Sequence, residues 1–469
     1  MSSHRSDVES ATQALARFTS ELRYEDLPSE AVTLLKWLFL DTVGTALAGT
    51  TLGAGCEEVS RVVGSAAGTP ECSVIGFGQR APALNAAFAN GSTAHALNYD
   101  ALGGDGGHLG VNSVPAPLAA AERQGGVSGK ELLCGMAASA EVTARLAGAL
   151  SMVGVNANAK FLEGQLLGYF GAAVGAGRVM RLSPQSMHSV LGLATMQAGG
   201  TMQVVFDGDP PAKAIYGGFS NMGGMLAALL AEQGLGAEIA AIEGRAGLFG
   251  LFYEGQYSAD TLLNDLGQDF LMLRARFKPW PTSGIVHPFI EASCSLVQRY
   301  GLSPQDIDSV LVRGDSHITQ WVEPVAERTK PPNAASAANS VQFGTGKALA
   351  NGMVELSDFT PDGMKDPVAL TIAERTLYEI DDSMNGTGSV EVATRDGRRL
   401  FESVSVPLGH PERPLSLAQI VAKFRDCARY SAADLEEDEL GRFIELVDGL
   451  EDVDDVSVLP SLVMGSTGR

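Results

Sequence analysis

Helical spacing broken by one alternating region is the feature that most narrows what this chain can fold into. Apolar residues recur three and four apart at Leu15, Phe18 and Leu22, and keep that spacing through 31–47, 116–123, 128–150, 168–180, 183–198, 219–233 and 237–243. Such periodicity marks helices with a buried face. Ser29 is the expected N-cap of the helix over 31–47. Near Phe277 the pattern changes. Ile307–Arg313 and Ser389–Thr394 alternate like half-buried strands, among helical stretches at 288–300, 336–351 and 366–377. Helical spacing returns at 420–430 and 435–450. The predicted fold class is mainly α with an α+β insert. A large all-helical domain is formed by both chain ends, 6–275 and 408–469, and a smaller α+β lid domain spans 276–407. Glycine, at 55 of 469 residues, is about 12% of the chain against roughly 7% on average, and with abundant alanine it suits closely packed helices.

Composition excludes several functions. Apolar residues make up 45% and charged residues 19%, a balance that builds a core rather than a disordered chain. Thirty-three Lys and Arg against 55 Asp and Glu leave a formal net charge of −22. That charge repels phosphate backbones and anionic lipids, so neither nucleic acid nor a membrane is an expected partner. The apolar run 132–150 is interrupted by Glu141 and Arg145 before it reaches spanning length. The five cysteines (Cys56, Cys72, Cys134, Cys294 and Cys427) are scattered and form no CxxC pair, as in a reducing compartment. The first seven residues, Met-Ser-Ser-His-Arg-Ser-Asp, lack the basic-then-apolar order of a secretion signal, and a cytoplasmic location is expected. No HExxH, GxxxxGK[ST] or GxSxG motif occurs, and the Gly-rich 244–250 lacks the preceding strand of a dinucleotide site. The tail after Val463 reads as frayed.

The run 98–112 carries five glycines and little that can be buried, so it reads as a functional loop. Motifs surround it in a recognisable order. Residues 11–50 close on Leu40-Asp41-Thr42-Val43-Gly44-Thr45-Ala46-Leu47-Ala48-Gly49, and 85–97 read Asn-Ala-Ala-Phe-Ala-Asn-Gly-Ser-Thr-Ala-His-Ala-Leu. His108 follows with Pro115, then Lys213 ahead of Gly217-Gly218 and Gly223-Gly224, then Lys278-Pro-Trp-Pro281 with His287. Together these blocks resemble the MmgE/PrpD family, which includes 2-methylcitrate dehydratase, cis-aconitate decarboxylase and iminodisuccinate epimerase. The resemblance covers nearly the whole chain. It implies a helical domain, a lid domain, a homodimer, and an active site between the domains that uses no cofactor and no metal. There, His and Lys side chains would add, remove or shift a proton next to a carboxylate.

The sequence departs from that pattern at five positions. Asn98 replaces the first loop aspartate, and Asp100-Ala101-Leu102 stands for Asp-Asp-Thr. Phe161-Leu162-Glu163-Gly164 replaces Phe-His-Pro-Thr, removing a histidine. Ser283 takes the place of a histidine found in cis-aconitate decarboxylase, and Phe343 that of a tyrosine.

The candidate catalytic residues are His108, Lys213, Lys278 and Asp100. An imidazole titrates near neutral pH, so His108 suits acid–base work, unless it is a loop histidine that caps a helix. Lys213 would bind a carbonyl or carboxylate oxygen, or be a surface lysine. Lys278 is aimed by the following prolines, or forms an interdomain salt bridge. Asp100 is the surviving loop carboxylate, or orders the loop through backbone hydrogen bonds. The candidate substrate-binding residues are Asn98, Leu102, Leu162, Glu163, Ser283 and Phe343. Glu163 and Tyr169 are possible stand-ins for the missing histidine. His95, in an Ala-rich helical stretch, and His287 read as structural. Replacing polar groups by Leu102, Leu162 and Phe343 favours a larger, apolar, carbonyl-bearing substrate of polyketide type. The expected reaction is a cofactor-free isomerisation, elimination or ring closure. Two alternatives stay open. One is a conventional 2-methylcitrate dehydratase or cis-aconitate decarboxylase with Glu163, Asp105 or Asp209 filling in; the other is a non-catalytic binding scaffold.

Overall fold

The structure is a computed structural model, described here over residues 9–154, 160–208 and 210–466. The chain divides into two compact units. The first comprises Met1–Ala96, Asp100–Arg276 and Leu417–Arg469; the second comprises Leu97–Tyr99 and Phe277–Ser416.

The first unit is built almost wholly of helices, and local signals set where they begin. Ser10 and Gln13 form a capping box at Ala11–Glu21, as do Ser128 and Glu131 at Gly129–Ser151. Ser183 caps Pro184–Thr195, with proline in the first turn, where its missing N–H costs nothing. Ser29–Leu52 is long and apolar enough to cross a bilayer, yet 78% of its most apolar window is buried inside the fold. It also carries Asp41, paired with Lys423 at 2.6 Å, and both side chains are buried. It is therefore a core helix. Around Glu163–Val179 the core gathers Leu146, Leu166, Phe170, Val190 and Phe249. Glycine lets its neighbours come close: a Cβ on Gly224, in Tyr216–Glu232, would lie 2.6 Å from that of Ala172. Backbone bonds from Gly76 to Val463 and from Gly129 to Val453 tie the C-terminal segment to the rest of the unit.

The second unit holds a four-stranded sheet. Counting β1 (Cys72–Val74) and β2 (Gln79–Ala81), a small antiparallel pair in the first unit, its strands are β3 (Ile307–Gly314), β4 (Thr376–Ile380), β5 (Gly388–Thr394) and β6 (Arg399–Val404). Their order is β4-β3-β5-β6; β3 and β4 are parallel and the other neighbours antiparallel. Val310, Val312, Val390 and Val392 point to one face and pack with Phe289, Ile290 and Leu296 of the helix His287–Tyr300.

Several expectations need correction. Ser29 is the first helical residue, and Pro28 occupies the cap position. Residues 237–243 form turns, because Gly234, Gly236, Gly244 and Gly247 break the segment and Glu243 accepts from the backbone and hydroxyl of Thr12. The stretch 336–351 is two helices, Ala334–Ala338 and Val341–Asn351, the second capped by Ser340. The helix over 366–377 stops at Glu374, and Thr376 already belongs to β4. The second unit runs to Ser416, not 407, and takes in Leu97–Tyr99. Beyond Val463 the helix continues to Met464 and Ser466 bonds to Asp434; 467–469 lie outside the described residues, as do 1–8.

Candidate active site

The helix Ala83–His95 delivers His95 at its last turn, and the chain re-enters the first unit at Asp100. The Gly-rich run then folds back on itself. Leu102 and Arg276 exchange two backbone hydrogen bonds of 2.9 and 2.8 Å, and the Leu109 N–H reaches the Ala101 carbonyl at 3.1 Å. Gly106 and Gly107 take positive φ (117° and 76°), which glycine adopts freely, and this reversal sets His108 over Asp100. His108 does occupy a cap position, ahead of the short helix Leu109–Ser113, but its side chain makes no capping bond.

That side chain is only 16% exposed, so the loop histidine is a packed group after all. Its Nδ1 lies 2.5 Å from Asp100 Oδ2, and His95 Nδ1 lies 3.3 Å from Asp100 Oδ1. Asp100 is fully buried. Burial alone would push its carboxyl up, but the charge and hydrogen bond of His108, joined by His95, hold it well below the usual carboxylate range. Tyr216 opens the helix Tyr216–Glu232 and lays its ring 4.0 Å from that of His95 and 6.0 Å from that of His108. Burial, with the charges of Asp100 and Glu163, keeps its phenol protonated.

Beside this cluster, and sharing Tyr216 with it, lies a cavity of ≈ 430 Å³. Its walls include Phe161, Leu162, Val204 and Phe219, with Lys213 as the cation. A second cavity of ≈ 550 Å³, over Gln13 and His188, carries the exposed Glu9–Arg17 pair and is remote from these groups in sequence and chemistry. Glu163 is the first residue of Glu163–Val179, and burial pushes its carboxyl up to about 7. The next residue, Gly164, lies against the dyad: a Cβ there would be 2.7 Å from His108 Cδ2 and 2.8 Å from the Tyr216 hydroxyl.

The ligand atoms of His95, Asp100 and His108 all lie within 4.8 Å of one another, a donor set that suits a divalent ion by type. The 2.5 Å between His108 and Asp100 is nonetheless a hydrogen-bond length. Two ligands each about 2 Å from one ion sit farther apart than that. The cluster fits a proton network better than a metal centre.

The remaining candidates are placed as follows. In the second unit Lys278 is buried and donates to the Asn98 carbonyl at 2.6 Å and its Oδ1 at 2.8 Å, so these two residues hold each other. Leu162 is the N-cap of its helix as well as a cavity wall. Leu102 acts through its backbone pairing with Arg276, and Ser283 donates its N–H to the Ala338 carbonyl. Phe343 is enclosed in the core of the second unit, its ring against Phe359, which corrects its reading as a pocket wall. His287 is buried with its ring edge-on to Trp280. Asp209 lies outside the described residues. Sequence reasoning missed His95 and Tyr216. The available signal for His95 was its position five residues before Asp100; Tyr216 follows Lys213 by one helical turn.

The chain is 25% identical to a cis-aconitate decarboxylase of Aspergillus terreus, over 96% of this chain and 95% of the relative. It is 26% identical to the cis-aconitate decarboxylase-like protein oryM of Aspergillus oryzae, over 97% of each. The human cis-aconitate decarboxylase is 26% identical over 98% of this chain and 95% of its own length. This likeness supports an enzyme of lyase or isomerase type. The MmgE/PrpD N-terminal domain model matches 13–260 and the C-terminal domain model matches 280–448, and the chain belongs to the MmgE/PrpD family.

Proposed function

We propose that this chain is a cofactor-free lyase that removes carbon dioxide or water from a small unsaturated carboxylic acid. The observation that carries the reading is the His108–Asp100–His95 network, which shares Tyr216 with the Lys213 cavity. An ionised Asp100 accepts the His108 Nδ1 proton and so fixes the tautomer, leaving Nε2 as the working atom. Nε2 faces the Gly164 side, 3.5 Å from the place a Cβ there would take. It would take a proton from carbon next to a carboxylate, while Lys213 binds that carboxylate and Tyr216 donates to developing negative charge. In a dehydration, the C–H pair becomes the new double bond and hydroxide leaves. In a decarboxylation no proton leaves carbon first: the C–C pair moves into the remaining conjugated carboxylate, and carbon then takes a proton from an acid of the site.

A second reading has its own support. Phe161, Leu162, Val204 and Phe219 give the cavity an apolar wall around one cation, which suits one anionic or carbonyl oxygen on a larger apolar skeleton. On that reading the reaction is an isomerisation or ring closure of a polyketide-like compound.

The deciding experiment offers the purified protein cis-aconitate, 2-methylcitrate and citrate, following carbon dioxide release and double-bond absorbance. Turnover of any one supports the lyase. No turnover, together with a rise in melting temperature from an apolar enone, supports the second reading.

A further inference from the structure

We propose that Glu163 is the proton donor of this site, the acid that protonates the product carbon. The inference rests on the lyase reading above, which assigns it no role. Its position is the first argument. Glu163 begins the helix whose next residue, Gly164, touches both His108 and Tyr216, and its own Oε1 lies 3.1 Å from where a Cβ on Gly106 would stand. It thus lies between the loop that carries His108 and a helix start whose Leu162 and Gln165 line the cavity. The second argument is its surroundings. The titratable groups about it are His108 across Gly164, and the phenols Tyr216 and Tyr253, which burial keeps protonated. Tyr253 is 1% exposed, and its hydroxyl has no hydrogen-bond partner among the described residues. A charged carboxylate is poorly served there, whereas a neutral carboxylic acid is at home.

The third argument is division of labour. The Nδ1 proton of His108 is committed to Asp100, so that ring is arranged to accept at Nε2. Two titratable groups whose environments differ in this way are the usual signature of a base and an acid. In a decarboxylation the step balances as follows. The bond to the departing carboxylate breaks and carbon dioxide leaves, its electron pair entering the conjugated acid. The Glu163 O–H then breaks, its proton bonds to carbon, and its pair remains as a carboxylate that water reprotonates.

The test uses the full-length protein and its Glu163→Gln and Glu163→Asp variants, with melting curves to confirm folding. Infrared titration of the unliganded protein should show a protonated carboxyl band that fades as pH rises through about 7 and is absent from Glu163→Gln. With cis-aconitate as probe, Glu163→Gln should lower kcat by about 10²–10⁴-fold and lose the alkaline limb of the pH profile, while Glu163→Asp keeps part of both. A Glu163 already ionised at mildly acidic pH overturns the proposal. So does a Glu163→Gln variant whose kcat and pH profile match the wild type. If the wild type leaves cis-aconitate untouched, the decarboxylase reading falls by itself, and the infrared titration decides on Glu163.

Discussion

Asp100 is the centre of the proposed site, because one buried carboxylate bonds the His108 imidazole and lies 3.3 Å from that of His95. Asp100→Asn keeps the shape but not the charge that fixes the His108 tautomer. Turnover should fall by roughly 10²–10⁴-fold with KM little changed, as steady-state kinetics will show. Glu163 makes a separate prediction about stability. Its folded pKa is about 7 against an ordinary 4.5, so the folded state holds that proton more tightly than the unfolded chain. The associated stability is fully present below about 4.5 and is lost as pH rises through about 7. Urea midpoints between those values should therefore fall less with pH in Glu163→Gln than in the wild type; parallel curves would contradict the burial argument. At this scale the sequence revealed the groups whose surroundings are themselves unusual. His108 and Asp100 sit in a glycine-rich run that cannot form core, and this singled them out. His95 sits among alanines and looks like filling; only the loop's return over the helix end makes it a partner of Asp100. Phe343 carried no mark that distinguishes a cavity wall from the core it joins.

A capping box is local chemistry, and Ser128 with Glu131 forms one at Gly129–Ser151, yet the one N-cap expected from sequence, Ser29, is itself the first helical residue. Ser128→Ala should cost about 1 kcal/mol in a urea melt. Ends and breaks were less legible. The stop at Glu374 is imposed by Thr376 joining β4, a pairing partner far away in the chain. The split at Ser340 reflects a hydroxyl that serves both the Arg328 carbonyl and the Phe343 N–H. One prediction tests how tightly an element serves the chemistry. Gly164→Ala adds a methyl 2.7 Å from His108 and 2.8 Å from the Tyr216 hydroxyl. A displacement of about 1 Å in a reacting group costs on the order of 10²-fold in rate, so kcat should drop far more than the melting temperature. An active Gly164→Ala enzyme would place the working atom elsewhere.

At the scale of the whole molecule, the periodicity changes near Phe277, where the main segment of the second unit begins, whereas the expected end at 407 falls short of Ser416. What joins the two ends of the chain was not legible. Asp41 and Lys423 are 382 residues apart, yet they form a buried pair at 2.6 Å. Lys423→Ala removes the cation from that buried carboxylate and should cost about 3–5 kcal/mol by urea denaturation, whereas Asp41→Asn with Lys423→Met should recover much of the loss. The homodimer that the sequence resemblance implied is a prediction: sedimentation at micromolar concentration should give a dimer, and a monomer would overturn it. The discontinuous first unit also sets a timetable for biosynthesis. Its segments up to Arg276 are synthesised before Leu417 is even translated. At roughly 5–20 residues per second, the 140 residues of Phe277–Ser416 take about 7–28 s, and for that time the apolar surface destined for the C-terminal helices lacks its partner. Nascent chains stalled before 417 should therefore be protease-sensitive across Ser29–Leu52, even though that helix is among the best buried in the finished protein.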